Sequence, residues 1–234
     1  MPLNNLLLDR LPAPDRIRLA ELCESVPLVA RTVLCERGQP MSHAYFPCQG
    51  FISLVARVDP HPGLEVGLVG REGLLGLPLV LGFPVSPVRA IVQGDGTALR
   101  IGAAPFRREL LRSAGLRACV NRYAGVRLAQ LSISACCLRF HLITPRLARW
   151  LLTSVDRADG HRVHVTHEEL AQRLGIRRVG VTTAASGLRR AGLIAYHRGE
   201  LIVLDRPGLQ AVACSCYEAD RAVYAQALGP VRSP

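Results

Sequence analysis

Residues 165–206 read "VTHEELAQRLGIRRVGVTTAASGLRRAGLIAYHRGELIVLDR". Thr166 is a good helix N-cap, and Glu169 three residues later completes a capping box. Ala171 is small where two helices must cross closely, and Gly175 supplies the turn between them. Leu170, Leu174, Ile176, Val181 and Leu188 fall on the face that such a pair buries. After Gly192, "LIAY" and "LIVLD" flank "HRGE", the pattern of a hairpin. Two short helices followed by a hairpin make a winged helix-turn-helix.

In such a module the second helix enters a major groove N-terminal end first. Here that end is "RRVGVTT", and two adjacent arginines at a helix N-terminus oppose the helix dipole. A nucleic-acid phosphate backbone removes the conflict. The spacing assigns Arg178 to a base edge and Arg177 to phosphate or base, with Val179, Thr182 and Thr183 completing the groove contacts. Thr166 and His167 at the first helix, and Arg198 at the wing tip, are placed to hold phosphates.

Working toward the N-terminus, "TPRLARWLLTSVDR" predicts a helix with Pro145 in its first turn. It closes a stretch, from Ala104 to about Asp156, whose pattern is helical. Ala124, Leu128, Leu131, Ala135 and Leu138 form one apolar stripe, while Val126, Ile133 and Cys137 lie on other faces. A helix apolar on several sides must bury several sides, one of them against a partner subunit. From about Leu28 to Ile101, short apolar runs alternate with turn signals such as "DPHPG" and "GDG", which predicts an antiparallel barrel or sandwich. Residues 1 to about 27 have helical spacing. Within the strand region, "GLVGREGLLGLPLVLG" (residues 67–82) places Gly67, Gly70, Gly73 and Gly76 at a three-residue interval. It is neither a P-loop nor a dinucleotide fingerprint, lacking both GK[ST] and G-x-G-x-x-G.

The chain has 234 residues and 49% hydrophobic composition, enough for a sizeable core. Its mean hydropathy of +0.21 points to an additional buried surface such as a dimer interface. The net charge of +11 favours polyanions, and every basic residue is arginine, the side chain that pairs bidentately with phosphate and guanine. Arginines are spread over both halves, so charge alone does not locate the surface. No signal peptide is visible, and the longest uncharged apolar stretch, residues 73–88, is broken by Pro78, Pro84 and Pro87. A cytoplasmic chain without membrane contact is expected. The eight cysteines include no C-x-x-C, and Cys214-Ser215-Cys216 is closer than the usual zinc-knuckle spacing. Buried structural thiols are expected, with no metal and no cofactor. An enzyme on a cupin-like barrel would need clustered ligands. The barrel region offers only His43 and His61 with scattered Glu36, Glu65 and Glu72, so no catalytic residue is assigned.

The segment "THEELAQRLGIRRVGVTTAASGLRRAGLI", with "TPRLARWLL" before it and "EVGLVGREGLLGLP" in the strand region, resembles the Crp/Fnr superfamily of transcription regulators. The resemblance implies an α+β chain with an N-terminal antiparallel β-roll (residues 1–115), a long central dimerisation helix (116–143) and a C-terminal winged helix-turn-helix (144–234). It further implies a homodimer on near-palindromic double-stranded DNA, contact with RNA polymerase, and a small-molecule, redox or gas signal at the roll. Effector-pocket candidates on this basis are Gly76, Leu77, Arg89, Leu131 and Ser132. The departures are chemical. Cyclic-AMP-binding members follow the cassette glycine with glutamate and carry an Arg-Ser pair downstream. Here Gly76 precedes Leu77, the pair falls on Ser86-Pro87, and Arg89 lies three residues beyond Ser86. An unpaired ribose hydroxyl in an apolar pocket costs about 1–3 kcal/mol, so cyclic AMP is not the expected ligand and the effector stays open. Iron–sulfur members use an N-terminal cysteine cluster, whereas only Cys23 precedes Cys35 here. His43 and Cys48, the candidates for haem ligation, read as structural. Arg178-Val179 and Thr183 replace the usual Arg-Glu and later Arg of the recognition helix, which implies a different operator. The alternative function is an effector-binding or protein-interaction module with only non-specific DNA binding.

Overall fold

A computed structural model of the chain describes residues 4–61, 63–83, 85–158, 160–197 and 199–229. A single 3-10 turn, Leu8–Arg10, leads into helix α1 (Ala13–Glu21). Strand β1 (Glu24–Leu28) already starts inside the segment expected to be helical. Its alternating Val26 and Leu28 face the core, and pairing with a central strand overrides the weak helical spacing. There follow β2 (Val33–Cys35), β3 (His43–Gln49), β4 (Ile52–Ala56), β5 (Leu64–Val69), the short helix α2 (Leu77–Val80), β6 (Arg89–Val92) and β7 (Gly96–Gly102).

These strands form two antiparallel sheets, ordered β1-β7-β3 and β2-β6-β4-β5, as the strand spacing predicted. Tyr45 pairs with Arg100 and Phe46 with Leu99, which places β3 along β7. Ile52 lies between Val69 and Val92, so β4 is central in the second sheet. Phe46 and Ile52 are fully buried where the sheets face each other, and Phe46 meets Phe106 edge-on at 6.0 Å.

Helix α3 (Ala103–Arg112) closes the roll. Ser113 then caps α4 (Ala114–Phe140), its hydroxyl accepting from the Leu116 amide at 2.9 Å. The first half of α4 buries Leu116, Cys119, Val120, Tyr123 and Val126 in the roll core. Of the predicted stripe, Ala124 is buried, while Leu128, Leu131, Ala135 and Leu138 face solvent in the single chain.

Helix α5 (Ile143–Val155) begins a second core with β8 (Arg162–His164), α6 (His167–Leu174), α7 (Arg178–Arg190), β9 (Ile194–His197), β10 (Glu200–Val203) and α8 (Arg206–Val212). The small sheet is ordered β8-β10-β9. Helix α9 (Cys216–Leu228) turns back along α4, and its Tyr224 and Leu228 lie in the core of the roll. Conversely, Phe51 and Leu68 of the roll lie in the second core. The two cores exchange side chains.

The glycine row lies where they meet. A side chain at Gly67 would run into the Arg127 guanidinium of α4, and one at Gly73 into the Tyr123 ring. Arg127 donates to the Leu68 carbonyl at 3.2 Å. Between these glycines, Glu72 accepts from Arg157 Nε at 2.8 Å, and its carbonyl accepts from the Tyr224 hydroxyl at 2.7 Å. Gly67, Gly70 and Gly73 therefore form a docking floor for α4 and the end of α5, whereas Gly76 packs against Ala44 and Leu74 of the roll itself.

The Arg157–Glu72 pair is almost wholly buried, with side chains 13% and 10% exposed. Breaking such a pair by removing one partner costs about 3–5 kcal/mol, because the other charge is stranded. Arg157→Met is expected to lower stability by that amount in urea unfolding. Arg157→Met/Glu72→Gln is expected to recover much of the loss. Equal losses in the single and double variants would deny the pair this role.

Candidate nucleic-acid interface

The turn that presents α7 is built as its sequence dictates. Thr166 Oγ1 accepts from the Glu169 amide at 3.1 Å, and Glu169 Oε2 accepts from the Thr166 amide at 2.7 Å. This is the capping box read from the sequence. Burial pushes the Glu169 carboxyl up, but the Thr166 donors, with Arg173 and Arg31 nearby, hold it below the usual carboxylate value. Gly175 ends α6 at φ 63°, a left-handed conformation that a side chain would strain. Leu170, Leu174, Val181 and Leu188 are buried beneath the two helices, and Ile176 packs at their edge.

Arg177 is the N-cap of α7, and its side chain makes no capping bond. Arg177, Arg178, Val179, Thr182 and Thr183 are all exposed, and Val179 is 69% exposed. An apolar side chain that open on a short helix suits contact with a thymine methyl. The Thr182 hydroxyl donates to the Arg178 carbonyl at 3.1 Å, and that of Thr183 to the Val179 carbonyl at 3.0 Å. The Thr183 hydroxyl keeps acceptor capacity, while that of Thr182 is also met by His167. Arg189 and Arg190, in the last turn of α7, sit where the dipole favours cations; the pair at the first turn does not.

His167 is half-buried and held by its neighbours. Its Nδ1 lies 3.1 Å from Thr182 Oγ1, and its ring stacks on Tyr196 of β9 at 4.5 Å. Burial, and then the Arg178 charge, push its pKa down. The imidazole thus braces α6 against α7 and the wing. Tyr196 is a residue sequence reasoning had placed only as a strand position; nothing in "LIAY" signals a partner 29 residues upstream. Thr166 is exposed at the start of α6, and Arg198 lies outside the described residues.

Around this unit, α6 rests on the roll. Arg173 donates to Gln93, and Arg31 lies 3.9 Å from Glu169. Trp150 Nε1 donates to Glu65 at 2.7 Å, while Ser53 donates to the other carboxylate oxygen at 2.5 Å. A cavity of about 820 Å³ separates roll, α4, α5 and α9, its lining including Arg71, Arg127, Arg149, Glu65 and Asp220. None of Gly76, Leu77, Arg89, Leu131 or Ser132 lines it. Leu77 opens α2, Arg89 pairs with Glu36 at 3.1 Å on the surface, and the Ser132 hydroxyl donates back to the Leu128 carbonyl.

This exposed basic turn, mounted on a capped helix pair with a braced wing, is the geometry of a DNA-reading helix. Residues 145–212 match the Crp-like helix-turn-helix domain family. Among curated proteins, no sequence matches the chain. Solved structures of Crp/Fnr regulators share its fold. One is a Crp/Fnr-family regulator from Eubacterium rectale, 16% identical over 88% of this chain and 96% of that one, with a TM-score of 0.69. The c-di-GMP-responsive global regulator CLP of Xanthomonas campestris is 18% identical over 83% of this chain and 100% of its own, at 0.65. A CRP-family regulator from Thermus thermophilus is 20% identical over 80% and 96%, at 0.64. The chain has the Crp/Fnr regulator fold, and no helix among the described residues is long and apolar enough to cross a membrane.

Thr166→Ala removes the cap and is expected to cost about 1 kcal/mol, measured by chemical denaturation. The pH profile has two windows. The native Glu169 value is depressed, so its contribution is complete above the unfolded value near 4.5 and fades as pH falls through the native value. His167 is also depressed, so stability is lost as pH falls below its unfolded value of about 6.5. His167→Gln is expected to remove this upper step and leave the lower one.

Proposed function

We propose that the chain is a sequence-specific, DNA-binding transcription regulator that acts as a homodimer on a near-palindromic operator. The observation that carries this reading is the solvent-facing first turn of α7, where two arginines sit against the dipole beside an exposed valine and two threonines. In the proposed complex Arg178 reads a base edge, Arg177 holds a phosphate or a base, and Val179, Thr182 and Thr183 line the groove. Thr166, His167 and Arg198 approach the flanking phosphates.

The dimer forms through the second half of α4. Its Leu128, Leu131 and Leu138 are 66%, 41% and 41% exposed in one chain and lie on one helical stripe. A two-fold dimer of this kind is expected to set the two α7 helices about one turn of DNA apart. RNA polymerase is the further protein partner proposed.

Cyclic AMP is not the signal. Leu77 opens α2 where an acid would be needed for the ribose, and Arg89 is engaged with Glu36. Glycines 67 and 73 are covered by Arg127 and Tyr123.

Selected-sequence binding with the purified full chain tests the proposal. A two-fold symmetric site with half-sites about one helical turn apart is expected. Arg178→Ala is expected to cost about 1–3 kcal/mol and relax preference at one base pair per half-site. Arg198→Ala is expected to weaken binding to all sequences and flatten the salt dependence. Equal affinity for scrambled DNA at physiological salt, untouched by Arg178→Ala, would replace this reading with that of a protein-interaction module that binds DNA non-specifically.

A further inference from the structure

Outside the DNA-reading surface, four ligand-type side chains converge. Cys137 and His141 lie one helical turn apart at the C-terminal end of α4. Cys214 and Cys216 come from the short connection between α8 and α9, Cys216 being the first residue of α9. Their three sulfurs and one ring nitrogen all lie within 4.8 Å of one another. Cys137 Sγ is 3.6 Å from Cys214 Sγ, and Cys216 Sγ is 3.5 Å from His141 Nδ1. The three cysteines are buried and form a cluster of their own, apart from the two main cores.

We propose that Cys137, His141, Cys214 and Cys216 bind a zinc-class divalent metal ion in a tetrahedral, structural site.

The distances fit that chemistry. Bonds of about 2.3 Å to sulfur and about 2.0 Å to nitrogen put tetrahedral neighbours about 3.5–3.8 Å apart. The two closest pairs are already there, and side-chain rotations of about 1 Å bring in the rest. Thiolate and imidazole donors select zinc and its soft neighbours over magnesium or calcium, which require oxygen. No carboxylate belongs to the set. An iron–sulfur cluster would hold its ligands farther apart, since its own sulfides lie between them.

The surroundings supply the charge balance. Three thiolates and a divalent ion leave one negative charge. Arg149 of α5 hydrogen-bonds Cys137 and is itself fixed by Asp220 at 2.6 Å and Ser134 at 3.2 Å. Arg146 adds a second cation facing Cys137 and Cys214. Such outer partners orient metal ligands and retain the thiolate form. Cys136, one residue away and about 100° round α4, is exposed and stands outside the set.

The placement gives the site a role. Cys137 and His141 immediately precede the helix-turn-helix domain, and Cys214 and Cys216 immediately follow it. One ion ties both ends of that domain at a single point, 77 residues apart in sequence between Cys137 and Cys214. It also fixes α9 at the start of its return to the roll. Closing so long a loop removes freedom from the unfolded chain.

The test uses the full chain without a histidine tag, purified under a phosphine reductant. Metal analysis is expected to find one zinc per chain. The zinc-free protein titrated with Co²⁺ is expected to develop the thiolate charge-transfer band and the intense visible bands of tetrahedral cobalt, saturating at one equivalent. Zinc, lying above cobalt in the affinity order, is expected to bleach them. Cys136→Ser is expected to leave the spectrum unchanged, and Cys214→Ser/Cys216→Ser to abolish it. Should the double variant fail to fold, alkylation of the wild-type chain decides. Chelation is expected to raise labelling of Cys137, Cys214 and Cys216 while that of Cys136 stays constant. A wild-type chain without the tetrahedral spectrum overturns the proposal. So does a spectrum that survives in the double variant, a chelator without effect on labelling, or a Cys137–Cys214 disulfide under reductant in place of the metal.

Discussion

The buried ion pair between Arg157 and Glu72 is the constraint on which the arrangement of this chain depends. Glu72 projects from the loop after β5, and Arg157 from the residues just past α5. Burial disfavours the Arg157 charge, and the Glu72 carboxylate, with Asp156 and Tyr123, outweighs that, leaving its pKa raised. Neither charge is tolerable there alone. The roll and the helix-turn-helix unit must therefore meet in one register. The Tyr224 bond to the Glu72 carbonyl adds α9 to the same point. Roll, α5 and α9 converge on a single residue.

That convergence explains the glycine row, and why its meaning was hidden. Gly67, Gly70, Gly73 and Gly76 read naturally as turn residues or as a remnant phosphate cradle. What determines two of them is remote in sequence: Arg127 and Tyr123 on α4 occupy the space a side chain would need. No local pattern announces a side chain 50 or 60 positions away. The helix-turn-helix was legible because its determinants are local. Thr166 and Glu169 cap one helix, Gly175 takes a left-handed turn, and apolar residues repeat at helical spacing. The strands were legible for a similar reason, since Gly, Pro and Asp mark their ends.

The return of α9 was not legible. "CYEADRAVYAQAL" has only Val223 and Leu228 as large aliphatic residues, and its contribution rests on Tyr224 and Leu228 entering a core more than 90 residues earlier in the chain. The exchange works in both directions, with Phe51 and Leu68 entering the helix-turn-helix core. An arrangement of this kind couples the roll to the α6–α7 unit through packing as well as charge. Trp150 on Glu65 and Arg173 on Gln93 add polar contacts along the same boundary. Any change in how α7 is presented must break or re-form these contacts together, because packed interfaces with buried polar pairs are bistable rather than continuously deformable.

The cysteines show the limit of spacing rules from the other side. Cys214-Ser215-Cys216 fails the usual zinc-knuckle spacing, and Cys137 reads as one more small buried residue. Spacing rules, however, assume that all ligands come from one compact loop. Here one pair is set by the pitch of α4, which puts Cys137 and His141 on the same face. The other is set by the bend into α9, which turns two residues with only Ser215 between them toward the same point. The motif is therefore tertiary, and it can exist only once α9 has docked on α4. The same docking places Tyr224 on Glu72. A metal at the cysteines and the Tyr224 hydrogen bond to the Glu72 carbonyl would then act on α9 near its two ends. The first would hold α9 to α4 beside the helix-turn-helix domain, and the second holds it to the roll. Loosening either end would free only part of the strap, so α9 would be secured twice by independent chemistry: soft-metal coordination at one end and, at the other, a hydrogen bond to the residue that carries the buried charge pair.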